Sequence, residues 1–168
     1  MQITMYDALI PVATRMLGNL SAILDKGAAF AEKKKIEPAV LTSARLAPDM
    51  FPLTRQVQIA CDMAKGAAAR LSGSDVPKHE DNETTFAELK ARIDKTLAFM
   101  KSVPADKFRG SEDRDITLQQ RSGEVKFKGV DYLRYYVLPN VYFHITTAYA
   151  ILRHNGVELG KADFSGGG

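Results

Sequence analysis

Apolar residues at Met5, Leu9, Val12, Met16, Leu20, Ile23 and Phe30 recur in steps of three and four, with Gly27 in the same register. That spacing draws one stripe along a helix over residues 5–34. Thr4 with Asp7 three residues on reads as its capping box, and Pro11 inside the pattern predicts a kink. A second stripe, Leu53, Val57, Ala60, Ala64, Ala67 and Leu71, predicts a helix over 52–71 that ends at Ser72-Gly73-Ser74. Its alanines and Gly66 allow close approach of a neighbouring helix. Phe86, Leu89, Ile93, Leu97 and Met100 mark a third helix, opened by Thr85 with Glu88 and stopped at Val103-Pro104-Ala105. A fourth runs over 131–154 on Leu133, Val137, Val141, Ala148 and Ile151, carries Pro139 as a second kink, and closes at Asn155-Gly156.

Between these helices the pattern changes. Glu37-Pro38-Ala39-Val40-Leu41 suits one short helix with proline in its first turn, and residues 47–52 read as an extended lead-in. Residues 76–82 form a polar linker. In the stretch 111–129 the period drops to two: Ile116 and Leu118, then Val125 and Phe127, alternate with polar neighbours about a turn at Arg121-Ser122-Gly123-Glu124. This is a β-hairpin signal, and a lone hairpin needs the bundle as support. The expected fold is all-α: an up-down four-helix bundle with a short β-hairpin between helices 3 and 4. One domain spans 1–164, and Ser165-Gly166-Gly167-Gly168 reads as a disordered tail.

Composition excludes more than it identifies. A net charge of +3, with basic residues spread along the chain, gives no phosphate-tracking face, so nucleic acid is not an expected partner. Lys33-Lys34-Lys35 suits the end of a helix dipole. The longest charge-free stretch, 135–152, contains Pro139, Asn140 and His144 and reads as a helix buried in protein rather than in lipid. The single cysteine, Cys61, cannot form an internal disulfide, and the N-terminus lacks the pattern of a signal peptide. The expectation is a cytoplasmic protein without membrane association.

His144 falls on the apolar stripe of the last helix, and Asn140 lies one turn earlier on the same face. Gln56 sits at the margin of the stripe on the second long helix. The three define the candidate pocket, since bundle interiors are where side chains of facing helices build metal sites. An amide-satisfied core histidine is the plainer interpretation. Asn and Gln are poor ligands for zinc or nickel, so any such metal would be weakly held, and none is the expected state. Asp62 is either a pocket residue below Gln56 or a surface charge. His79 reads as a solvated linker residue and His154 as a helix C-terminal one. Cys61 is expected to pack as a small core residue. Tyr132, Tyr135, Tyr136 and Tyr142 crowd the last helix, some of them in the core. No phosphate loop, dinucleotide fingerprint, cysteine knuckle or nucleophile elbow is present.

Three stretches, 6–24, 45–66 and 138–160, carry a resemblance to the DinB/YfiT-like superfamily, and within it to a bacterial family of uncharacterised proteins. Leu138-Pro139-Asn140-Val141-Tyr142-Phe143-His144 followed by Ala150-Ile151-Leu152-Arg153-His154-Asn155-Gly156 is similar to that family's final helix. The resemblance implies a bundle that dimerises through its helices. It also implies a metal held by one histidine on the second helix and two on the last. Here His144 matches the second of that pair, Asn140 stands at the first, and Gln56 stands at or near the helix-two position. The expected function is therefore a non-catalytic small-ligand-binding or interaction protein with a degenerate metal pocket. The alternative is a divalent-metal-dependent enzyme of thiol transferase or hydrolase type using His144.

Overall fold

The computed structural model describes residues 3–120 and 123–167. It consists of four long helices and a hairpin. The helices are α1 (Met5–Lys34), α3 (Leu53–Ser72), α4 (Phe86–Ser102) and α6 (Leu138–His154), and short elements join them: α2 (Pro38–Thr42), α5 (Gly129–Asp131) and α7 (Lys161–Ser165). Both predicted capping boxes are present. Thr4 accepts from the Asp7 N–H and Thr85 from the Glu88 N–H, while each acid bonds back to the backbone N–H of its cap residue. The α1 stripe is realised with Leu9, Leu17, Leu20, Ile23 and Leu24 fully buried. Each such leucine or isoleucine contributes about 1.5–3 kcal/mol.

Side-chain pairs fix the helix directions. Lys90 of α4 meets Asp25 of α1, and Phe108, past the end of α4, packs edge-on against Tyr6 near the start of α1. Those two helices therefore run in opposite directions. Gln56 meets His144 and Arg70 meets Tyr132, so α3 runs against α6. Helices α3 and α4 are side by side and point the same way. A chain leaving α3 must then travel back along the bundle before α4 can begin. Residues 73–85 make that return as an extended strap.

The strap is held by a buried arginine. Arg92 of α4 is 2% exposed. Its guanidinium donates to the Glu80 carbonyl at 3.0 Å, to Glu83 Oε1 at 2.9 Å and to Asp62 Oδ1 at 2.9 Å, and Asp81 Oδ1 lies at 2.9 Å. Gln58 donates to Glu83 at 2.9 Å, and Arg55 pairs with Asp81. Three carboxylates thus pair the charge of the buried guanidinium and take up both of its terminal nitrogens, while its Nε is enclosed without a partner among the described residues.

The hairpin pairs β1 (Asp115–Gln120) with β2 (Gly123–Lys128) in antiparallel register, Ile116 opposite Phe127 and Leu118 opposite Val125. Ile116 and Leu118 are buried against the bundle, as their alternation predicts. The turn residues Arg121 and Ser122 lie outside the described residues, as do Met1, Gln2 and Gly168. After β2 the chain closes on itself: the Val130 N–H donates to the Glu112 carbonyl at 3.0 Å. Gly129 sits against the Ser111 backbone so closely that a Cβ there would overlap the Ser111 carbonyl oxygen.

The last long helix is not kinked simply at Pro139. The turns before it, Tyr132–Val137, are π-helical, with the Leu138 N–H reaching back five residues to the Leu133 carbonyl. Proline lacks an N–H and its ring crowds the carbonyl four residues back, and a widened turn relieves both. Two expectations need correction. Residues 47–50 form a turn closed by the Met50 N–H on the Ala47 carbonyl at 3.0 Å, rather than an extended lead-in. Residues 165–167 are not a free tail: α7 ends at Ser165, and Gly166 caps it at φ 83°. Arg15 donates to the Ser165 and Gly166 carbonyls at 3.2 Å each, Asn19 to the Phe164 carbonyl at 2.9 Å, and Lys26 pairs with Asp163 at 2.6 Å. Charged and amide side chains along α1 thus hold a segment whose glycine content alone suggests disorder.

Candidate functional site

His144 points into the α3–α6 seam and is 8% exposed. Its Nδ1 lies 2.7 Å from Gln56 Oε1. The amide of Gln56 is oriented by its other end, where Nε2 donates to the Phe51 carbonyl at 3.0 Å. The Oε1 atom only accepts, so Nδ1 carries the imidazole proton and Nε2 carries the lone pair. Burial first, and then the charge of Arg55, hold the imidazole below its ordinary pKa of 6.5, so the ring is neutral at pH 7. Phe143 packs edge-on against it with ring centroids 5.2 Å apart.

Two of the three candidate residues are brought together, and the third is not. Asn140 is half-buried and turns back on its own helix, with Nδ2 donating to the Tyr136 carbonyl at 2.7 Å. This is the local bond that short polar side chains make to the carbonyl one turn back, as Thr147 does to Phe143 and Asn155 to Ile151 on the same helix. The residues do not fit the metal that the resemblance implies. Gln56 Oε1 is committed to His144, Asn140 faces its own backbone, and among the described residues no carboxylate or second imidazole joins them. Among the described residues no group of three or more His, Cys, Asp or Glu is arranged to hold a metal ion.

The other singled-out residues resolve as follows. Cys61 is fully buried, and burial pushes its thiol up to about 12, so it packs as a core residue and not as a thiolate. Asp62 is no free surface charge, since Arg92 and Lys65 both bond to its Oδ1. His79 is half-buried rather than solvated, with its Nδ1 enclosed, and His154 is exposed. Tyr132 is a core residue whose hydroxyl accepts from Arg70 at 3.2 Å. The expectation for the last helix missed how exposed Tyr135, Tyr142 and Phe143 are, at 66%, 39% and 55%. Sequence reasoning also overlooked Arg92. The signal was present: an arginine beside the Leu89–Ile93 stripe, with an acidic linker, Glu80, Asp81 and Glu83, just upstream.

Four long helices with a hairpin before the last are the architecture of a DinB-like helical protein. Residues 5–165 match the family described as a domain of unknown function (DUF1993), and the chain belongs to that family. It is also similar to the crystal structure of a DinB family member protein from Shewanella denitrificans, at 47% identity and a TM-score of 0.91, over 97% of this chain and 92% of that one. No curated protein matches the chain. No helix among the described residues is long and apolar enough to cross a membrane.

Proposed function

We propose that the protein is a non-catalytic binding protein of the DinB-like fold, cytoplasmic, in which an internal hydrogen bond replaces the metal centre. The observation that carries this reading is the 2.7 Å contact between His144 Nδ1 and Gln56 Oε1. A neutral imidazole held by a neutral amide supplies neither the charge nor the ligand number that a divalent metal requires. One feature favours the competing reading of a metal-dependent enzyme. With Nδ1–H donated to an amide oxygen, Nε2 has the lone pair and the fixed orientation typical of a ligating histidine.

Elemental analysis separates the two. Protein purified without a histidine tag or added metal, then incubated with nickel or zinc and desalted, is expected to carry far less than one metal per chain. The double variant Gln56→His with Asn140→His, which rebuilds a three-imidazole set, is expected to gain it. Near-stoichiometric metal in the wild type, lost in His144→Ala with the helical circular dichroism retained, would overturn the metal-free reading and leave the metal-dependent one.

The same reading includes a homodimer through bundle helices. Phe51, Tyr142 and Phe143 are 55%, 39% and 55% exposed around the His144 seam, and exposed aromatics of this kind are favoured as interface anchors. Sedimentation equilibrium is expected to give twice the chain mass. A monomer at all accessible concentrations would end that part of the proposal.

A further inference from the structure

A cleft of about 600 Å³ opens further along the α3–α6 seam, where α3, the strap, β1 and the π-helical turn meet. Its lining does not include Gln56, Asn140 or His144. The walls carry Lys65, Arg70 and Lys78 against one carboxylate, Asp62. That carboxylate is already engaged, its Oδ1 lying 3.0 Å from Lys65 Nζ and 2.9 Å from Arg92 Nη2. Arg70 and Lys78 make no ion pair among the described residues. The cleft thus faces two positive charges that no described residue neutralises.

These groups are placed rather than merely present. Lys65 is 4% exposed, and its ammonium, with three donors, meets one protein oxygen. The Arg70 guanidinium folds across Gly66, where any Cβ would collide with Nη1, and rests on the Tyr132 hydroxyl at 3.2 Å. A longer residue at position 66 would push the guanidinium out of the cleft. His79 Nδ1 is enclosed at the same place without a partner among the described residues. One side of the cleft is aromatic: Tyr136 is half-buried there and stacks on the buried Tyr132, with centroids 5.8 Å apart at 20°.

We propose that this cleft binds a small organic anion, a carboxylate or phosphate monoester carried on a planar apolar body. The anion would lie between Arg70 and Lys78 and take up the spare donors of Lys65, while its apolar part lies against Tyr136. Charge-assisted hydrogen bonds from an arginine fork and an ammonium, in an open cleft with one buried lysine at its base, are the usual chemistry of such recognition. Such a ligand would be what the binding protein proposed above binds. The two readings fail separately, because metal uptake reports on the Gln56–His144 pair and anion binding on the cleft.

The test is an amide NMR titration of the whole chain with benzoate and with phenyl phosphate, and with benzamide as the uncharged counterpart. Saturable shifts are expected for both anions at Met63, Thr117 and Gln119, with none for benzamide. Lys78→Met alters an exposed strap residue and leaves the core intact. It is expected to weaken anion binding about tenfold, with Arg70→Met at least as costly. Inorganic phosphate is expected to bind more weakly than phenyl phosphate, because it leaves Tyr136 without a contact, and equal affinity for the two would overturn the apolar part of the proposal. The proposal is overturned by the absence of saturable shifts with both anions, by benzamide binding as well as benzoate, or by Lys78→Met binding as tightly as the wild type.

Discussion

Gln56 and His144 illustrate how one amide changes what a histidine can do. With Nδ1 tied to the Gln56 oxygen, the ring is locked in one tautomer and one orientation. His144→Ala would leave that oxygen without its donor and open a cavity in the seam. The expected loss is about 1–3 kcal/mol, measured by urea unfolding at pH 7. The cost should also depend on pH in a defined direction. Burial holds the folded pKa of His144 below 6.5, so between the two values the unfolded chain binds more protons than the native protein. This contribution is fully present above pH 6.5 and is lost as pH falls through the folded value. The wild type should therefore lose stability over that interval faster than His144→Ala does. Parallel curves for the two proteins would show that the imidazole is not shielded as described.

Gly129 governs how the hairpin returns to the bundle. Its backbone touches that of Ser111, and the following N–H, of Val130, bonds to the Glu112 carbonyl, so the segments entering and leaving the hairpin are in direct contact. Gly129→Ala must push backbone against backbone, which no side-chain rotation can relieve. The expected destabilisation is about 1–3 kcal/mol or more by thermal melting, with the long helices retained in circular dichroism. The helices themselves were legible in the sequence because their stripes and caps are local: Thr4 with Asp7 and Thr85 with Glu88 set their starts without help from elsewhere. The hairpin was legible from the alternation at Ile116, Leu118, Val125 and Phe127. Long-range contacts decided the rest. Asn140 shares a stripe with His144, yet its amide bonds to the Tyr136 carbonyl one turn back instead of reaching across the seam. Residues 165–167 are ordered by Arg15 and Asn19, about 150 positions away in the chain. Of the candidate pocket, periodicity could place His144 and Gln56 in one seam, but it could not show that they bond to each other.

The assembled bundle depends on the strap between α3 and α4, because two neighbouring helices that point the same way need a full-length return between them. Arg92 secures that return, and Glu83 is its most enclosed acidic partner, with its side chain 10% exposed. Burial alone would raise the Glu83 carboxyl, but hydrogen bonds from Arg92 and Gln58 outweigh it and hold the group below 4.5. Glu83→Ala is expected to cost about 1–3 kcal/mol at neutral pH. The sign of the pH dependence follows from the lowered value. The stabilisation is present above pH 4.5 and disappears as pH falls through the folded pKa, so the variant and the wild type should converge in acid. A difference that persists unchanged at pH 3 would locate the effect in packing and not in charge. Cys61, enclosed between the same helices, gives the molecule a built-in clock. A thiol that is never solvated in the native state, and that ionises only near 12, can be alkylated only during excursions that part α3 from its neighbours. With no other sulfhydryl to confuse the signal, the rate at which a maleimide consumes the protein counts those excursions directly.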